Sequence, residues 1–475
     1  MMTIRRFTVL RAFACACIAP AVAAVPLHGQ AVDLDAVTTR VETEVTRILA
    51  ETPIPSISMA IVRNGRVEWA GAWGWSNVAA RVPATTDTYY STGSTFKFVT
   101  ATAIMQLVEK GGIELDTPLN EIVPDSLRIE GADDVTLRHL LSHHSGLQGP
   151  VGIVPLWERT SPRTVETLLA ETRRVGEPGT EYRYCNECYA IAGWVVEKIS
   201  GKSWDAYVAE SILAPLGIDV ARPSIPSPAA VEMLALPYVV ADNKPSPVAQ
   251  VRYDVFAAGD VYLRASDMAR FLAAQLGDGQ FGDARILRPE SVREMRRAQF
   301  AGRAYGLGIG LAEQAGRTIL SHGGSIPGFN SLLIGEPASG LGVYLMANSG
   351  QASSVLNALA RLTLRLLWGE NPEPLSSFAT VERVEVDIDP AVFDAYVGVY
   401  RLSPDFEITV SRDADQFFIQ ATGQPRFPIL AESDTKFFLL TVDAQVTFGR
   451  DVPDGPVTHM ILHQAGANQR LERIR

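Results

Sequence analysis

At 475 residues the chain is too long for one typical hydrophobic core, and two domains are the first expectation. Its composition, 47% hydrophobic and 20% charged with no long low-complexity tract, is that of a folded soluble protein. A net charge of −11 argues against a phosphate-backbone ligand, because nucleic-acid binders need a concentrated positive surface.

The N-terminus reads as an export signal. Arg5 and Arg6 form a basic start, Ala12 to Val25 is a mostly apolar run, and Val22-Ala23-Ala24 supplies small residues for cleavage between about 24 and 30. Arg11 and Pro26 bracket a run well short of the ~20 residues needed to span a bilayer. The expected location is therefore periplasmic or secreted, with no stable membrane span. Without the first 30 residues, which hold Arg5, Arg6 and Arg11 but no acids, the net charge is about −14. The mature protein then keeps only Cys185 and Cys188, in a compartment that permits disulfides.

Val37, Val41, Val45 and Leu49 are spaced as one face of an opening helix. In ISMAIVRNGRVEWAGAWGW, Asn64-Gly65 joins two apolar runs, a strong hairpin signal. A helical and loop-rich middle follows, from about Thr95 to Gln299. Strands in YGLGIGLAE and RTILSH, a hairpin in FNSLLIGEPASGLGVYLMANSG and a helix from about Ser354 to Leu367 complete this part. The pattern predicts an α+β domain, in which an antiparallel sheet built from both ends of the segment holds a helical insertion. It covers residues 31–368.

GENPEPLSSF opens a linker by composition, assigned to 369–384. Eight short runs from YVGVYRL to QRLERIR, with turn residues between them, predict a small all-β barrel or sandwich over 385–475.

STGSTFKFVTATAIMQLVEKGG places Ser94 at a loop-to-helix junction, with Lys97 one turn along on the same face. A serine at a helix start, beside free backbone N–H groups, attacks a carbonyl if something removes its proton. An ordinary lysine is neutral in only about one copy in 2,500 at pH 7, so Lys97 serves as a base only if burial or another cation lowers its pKa. Alternatively it stays charged and acidifies a neighbouring tyrosine. The plainer reading is an N-cap serine and a solvated lysine. Two further segments favour chemistry. PGTEYRYCN sets Tyr184 and Asn186 just before an apolar helix, and SHGGSIPGF puts His322 at a strand end, followed by Gly323, Gly324 and Ser325.

These three motifs, in this order and spacing, resemble the serine β-lactamase and penicillin-binding superfamily in its class C-like branch. That branch includes class C β-lactamases, D-alanyl-D-alanine carboxypeptidases, D-amino-acid peptidases and β-lactamase-like esterases. The resemblance covers about Val37 to Leu367 and extends to HLLSHHSGL and FAAGDVYLRASDMARFLAAQL. It implies that Ser94 forms an acyl-enzyme, Lys97 shares its proton, and Tyr184 acts as base or relay. Asn186 would orient Lys97 and the substrate amide, with the backbone N–H groups of Ser94 and Ser325 as the oxyanion hole. His322-Gly323-Gly324 stands where Lys-Thr-Gly is usual in β-lactamases, which weakens the anchor for a substrate carboxylate. No Ser-Asp-Asn motif or class A-type acylation glutamate is evident. The C-terminal part resembles a lipocalin-like domain appended to some peptidases of this branch. In that setting it implies a role in oligomer assembly or in shaping access to the site.

The expectation is an exported serine hydrolase acting on D-amino-acid-containing peptides or small esters, with no cofactor. The alternatives are a β-lactamase, or a penicillin-binding or sensing protein with little turnover. His139 and His143 are spaced like a zinc pair, but Leu140 stands where the motif needs glutamate and no third ligand is near, so no metal is expected. Cys185 and Cys188 read most simply as two partly buried thiols at a helix start, with a disulfide between them in the exported protein as the alternative.

Overall fold

A computed structural model describes residues 32–150, 153–155, 164–220, 228–241, 243–253, 256–259, 261–378, 385–403, 406–422, 426–439, 444–452, 455–464 and 467–475. The segment read as an export signal lies outside the described residues. Among those described, no helix is long and apolar enough to cross a membrane.

The first part is built on a seven-stranded antiparallel sheet. In chain order its strands are β1 (Ser56–Arg63), β2 (Arg66–Asn77), β3 (Val82–Pro83), β4 (Gly310–Gln314), β5 (Arg317–Ile326), β6 (Phe329–Glu336) and β7 (Leu341–Ala347). Their spatial order is β4-β5-β6-β7-β1-β2-β3. Both ends of the segment therefore meet at the β7–β1 pair, where Ile57 faces Ala347 and Val62 faces Gly342. Asn64 (φ +55°) and Gly65 (φ +70°) make the β1–β2 turn, as two adjacent left-handed residues must in a tight hairpin.

β1 is buried along nearly its whole length because helices cover both faces of the sheet. Ile57, Met59 and Ile61 point into one core with Val41, Val45 and Ile48 of α1 (Leu34–Glu51) and Leu356 and Leu359 of the last helix in this part (Ser353–Leu367). Ala60 and Val62 point the other way, into the larger core shared with α2 (Lys97–Glu109), α3 (Asn186–Ser200) and α4 (Ala265–Leu276). The period-2 alternation of a strand thus serves two cores at once. α2 is buried on all sides from Lys97 to Leu107, and apart from Lys97 and Gln106 its sequence there is apolar or small all round.

After Leu367 the chain does not run free. Arg47 Nη2 donates to the carbonyl of Leu375 at 2.9 Å, and Glu51 accepts from the Ser377 hydroxyl and the Phe378 N–H, both at 3.0 Å. Leu375 and Phe378 also pack on the α1 core. The first half of the segment read as a linker is therefore docked on α1.

The C-terminal part is a closed antiparallel barrel of eight strands, one for each of the eight short runs in the sequence. Its interior is packed with Phe and Tyr: Phe393 stacks on Phe417 at 4.0 Å and Tyr396 on Phe448 at 4.3 Å. No tryptophan occurs after Trp368.

Candidate active site

Ser94 sits in a single 3₁₀ turn, Gly93–Phe96, that runs directly into α2. Gly93 adopts φ +50°, which turns the chain sharply before the serine. Because α2 is a core helix, Lys97 at its start is dry: its side chain is fully buried. Its Nζ lies 3.1 Å from Ser94 Oγ, 2.7 Å from Asn186 Oδ1 and 2.5 Å from the carbonyl of Ala258. Burial drives the Lys97 pKa well below the ordinary lysine value, and the charge of Glu187 opposes this only in part. A neutral amine here keeps N–H bonds to Asn186 and Ala258 and turns its lone pair towards the Ser94 hydroxyl.

Asn186 opens α3, and Tyr184 lies two residues earlier with its ring 5.0 Å from Lys97 Nζ. Tyr184 is the open side of the site, at 42% exposure. Below it His143, with φ +62°, brings its ring to 4.2 Å from the tyrosine ring and accepts the Cys185 N–H on Nδ1 at 3.0 Å. That bond leaves the proton on Nε2, and burial holds the imidazole neutral.

β5 supplies the third wall. A Cβ on Gly324 would lie 2.3 Å from the Thr92 carbonyl and 3.2 Å from the Ser94 nitrogen, and one on Gly93 would lie 2.8 Å from the Ser325 nitrogen. Only residues without side chains allow this approach of two backbones. Gly323 differs: a Cβ there would meet nothing within 4 Å, so it faces open space. His322 is buried and bonded from Nδ1 to the Gly323 carbonyl at 2.7 Å. Burial above all pushes its pKa down to about 3.

That value has a consequence for stability. The unfolded-state histidine titrates near 6.5, so the folded protein prefers the neutral ring; stability is full above pH 6.5 and falls as the pH drops towards 3. The loss is roughly 1.4 kcal/mol per pH unit within that window. Thermal melts between pH 7 and 4 should show the parent losing more stability on acidification than His322→Gln, and parallel curves would remove the argument for a buried neutral histidine.

The structure brings together all eight residues singled out from the sequence: Ser94, Lys97, Tyr184, Asn186, His322, Gly323, Gly324 and Ser325. The sequence reading missed three contributors. Ala258 gives Lys97 its shortest contact, Gly259 at φ +137° packs against the Gly93 carbonyl, and His143 supports Tyr184. The glycine in FAAGD and the first histidine of the His-His pair in HLLSHHSGL were the available signals. His139 is engaged elsewhere, taking the Thr136 N–H on Nδ1 at 3.1 Å and stacking on Phe300. The two cysteines are not the free thiols expected: Cys185 and Cys188 are joined as a disulfide, because a helix N-cap and the residue three along bring their Cα atoms to 5.3 Å.

A groove of about 1,090 Å³ at the far end of α2, lined by residues including Val108, Ile113 and Arg138, touches none of these site residues. A smaller hollow of about 250 Å³ adjoins the site at Ser325, Ile326 and Pro327.

Compared with known proteins, residues 41–366 match the Beta-lactamase family, and residues 382–473 match a domain of unknown function (DUF3471). Penicillin-binding protein 4 of Amycolatopsis lactamdurans is 30% identical over 336 residues, covering 66% of this chain and 86% of that protein. A D-aminopeptidase of Gluconobacter oxydans is 25% identical, covering 68% of this chain and 61% of that protein. Among solved structures, the octameric penicillin-binding protein homologue from Pyrococcus abyssi has a TM-score of 0.59 at 24% identity, covering 91% of this chain and 99% of that one. With a family match across more than half its length, the chain belongs to the β-lactamase family, as a serine hydrolase of its class C-like branch.

Proposed function

We propose that the protein is an exported hydrolase that cleaves amide or ester bonds through an acyl-enzyme on Ser94. The observation that carries this reading is the dry Lys97 amine, 3.1 Å from Ser94 Oγ and held by Asn186 and Ala258. Lys97 takes the serine proton as Ser94 Oγ bonds to the substrate carbonyl carbon. The N–H groups of Ser94 and Ser325 receive the developing oxyanion; Tyr184, exposed beside the amine, hands its proton to the leaving group and takes the serine proton from Lys97, which leaves the amine neutral again. Water then repeats the sequence to release the acid.

The third motif argues for the substrate class. With His322 buried and neutral and Gly323 bare, these two positions of β5 offer neither a cation nor a hydroxyl to a substrate carboxylate, and the next hydroxyl along the strand is that of Ser325. Peptides containing D-amino acids, or small esters, fit that wall better than carboxylate-bearing β-lactams, and the D-aminopeptidase relative supports the peptide class. The penicillin-binding relative keeps a second reading in view, a protein acylated by penicillin with slow turnover. Export rests on the basic start and apolar run of the N-terminal segment. The octameric homologue supports an assembly of several copies, for which the barrel is the proposed element.

Purified protein should be offered a chromogenic ester, a D-alanyl peptide and a chromogenic cephalosporin, with product release and intact mass followed together. Release from the ester or D-peptide well above that from the cephalosporin is expected. Fast cephalosporin turnover would make it a β-lactamase, and a stable drug adduct without turnover would make it a binder.

A further inference from the structure

The turn Cys185–Cys188 carries three tethers to the rest of the site. Cys185 N–H donates to His143 Nδ1 at 3.0 Å, Asn186 Oδ1 accepts from Lys97 Nζ at 2.7 Å, and Glu187 Oε1 accepts the Gly149 N–H at 2.7 Å. The turn is also the N-terminus of α3, with Cys185 as its N-cap. Helices are normally capped there by Ser, Thr, Asp or Asn, whose oxygen accepts one of the unpaired N–H groups. Here the acceptor for the Cys188 N–H is the Cys185 sulfur, at 3.1 Å. Sulfur is a weak acceptor, so this cap is poor at the very turn that aims Asn186 at Lys97.

We propose that the Cys185–Cys188 disulfide is a positioning device for the active site, closing covalently the turn that its sulfur cap holds only weakly. The proposal rests on the reading of Ser94, Lys97, Tyr184 and Asn186 as the catalytic set. Tyr184 immediately precedes the bridge and Asn186 lies inside its ring. Loosening the turn therefore disturbs the proton relay from both sides. The ring spans only four residues, and loop closure contributes more for long loops than for short ones, so the bridge acts locally rather than on global stability. Both cysteines are fully buried, with the Ser145 hydroxyl 3.2 Å from Cys188 Sγ, which packs the bridge against the HLLSHHSGL segment. A displacement of about 1 Å in a catalytic group costs on the order of 10²-fold in rate, so a small relaxation is enough to be measured.

The test compares two double variants with the parent on the best substrate. Cys185→Ala/Cys188→Ala removes both bridge and cap; Cys185→Ser/Cys188→Ala removes the bridge but restores an oxygen cap. The alanine pair should keep its circular dichroism and melt within a few degrees of the parent, lose roughly tenfold or more in kcat, and change little in KM. The serine variant should recover most of the lost kcat, which a general packing defect would not allow. Peptide mapping of the native parent should find residues 185 and 188 linked. The proposal is overturned if mapping finds them unlinked, or if a folded alanine pair keeps the parental kcat. Should the alanine pair fail to fold, the parent assayed under reductant, with the bridge opened as judged by intact mass and the fold by circular dichroism, gives the kcat comparison independently, and an unchanged kcat there overturns the proposal. Ser94→Ala, assayed alongside, separates the two levels: if it hydrolyses like the parent, the catalytic reading itself fails, whatever the cysteine variants do.

Discussion

Ser94→Ala, Lys97→Met and the double variant are each expected to lose kcat by about the same factor, roughly 10³-fold or more. Residues that act as one proton-sharing unit are non-additive, because once either is gone the other has nothing to act on. The geometry sets this expectation: Lys97 Nζ reaches Ser94 Oγ at 3.1 Å, within the same buried cluster of contacts. Methionine suits the dry pocket in length and polarity. It leaves the Ala258 carbonyl and Asn186 Oδ1 without their lysine donor, at a cost of about 1–3 kcal/mol for each acceptor left unpaired. A melt recorded beside the kinetics separates that cost from catalysis. If the double variant's loss equals the product of the two single losses, Ser94 and Lys97 act independently and the shared proton is ruled out.

The second large effect lies in the backbone. Gly324→Ala should reduce kcat by on the order of 10²–10³-fold, the range seen when one oxyanion donor is removed. The new methyl would stand 2.2 Å from Ser331 Oγ and 2.3 Å from the Thr92 carbonyl. β5 or the Ser94 turn must therefore shift, and the Ser325 N–H leaves its place beside Ser94. Ser331 Oγ itself donates to the Thr92 carbonyl at 2.5 Å, so the strain spreads into the buried network under the nucleophile. Gly323→Ala, one residue earlier, meets nothing within 4 Å and should leave the melting temperature unmoved. A folded Gly324→Ala protein with parental kcat would show that the close approach of these two backbones does not matter to the reaction.

Much of this site was legible because its parts are local. Ser94 and Lys97 are three residues apart where a 3₁₀ turn runs into α2, and Tyr184 and Asn186 flank a single helix start, so spacing alone carries their relation. Ala258 was not legible, since a backbone carbonyl contributes through position and any residue type can supply one. The same holds for His143. Its left-handed φ of +62° and its place under Tyr184 come from packing between segments some forty residues apart. The buried state of His322 depends on Lys97, Tyr184 and Tyr305 converging from three segments. The Asn64-Gly65 signal announced β1 as an apolar arm of a hairpin, yet only the covering helices show that it feeds two cores. The linker is a further case: proline and serine in GENPEPLSSF predict loose chain, and Arg47 and Glu51 on α1 tie its first half down.

The aromatic interior of the barrel has a spectroscopic consequence. Its rings are phenylalanine and tyrosine, and all seven tryptophans of the chain lie at or before Trp368. Trp69 and Trp73 sit 5.7 Å apart on β2, and Trp194 and Trp204 belong to the core beneath the active site. Emission excited at the red edge of the tryptophan band therefore follows the hydrolase part alone, while far-ultraviolet dichroism follows both parts. Two melting curves from one sample can thus tell whether the barrel comes apart with its partner or outlasts it.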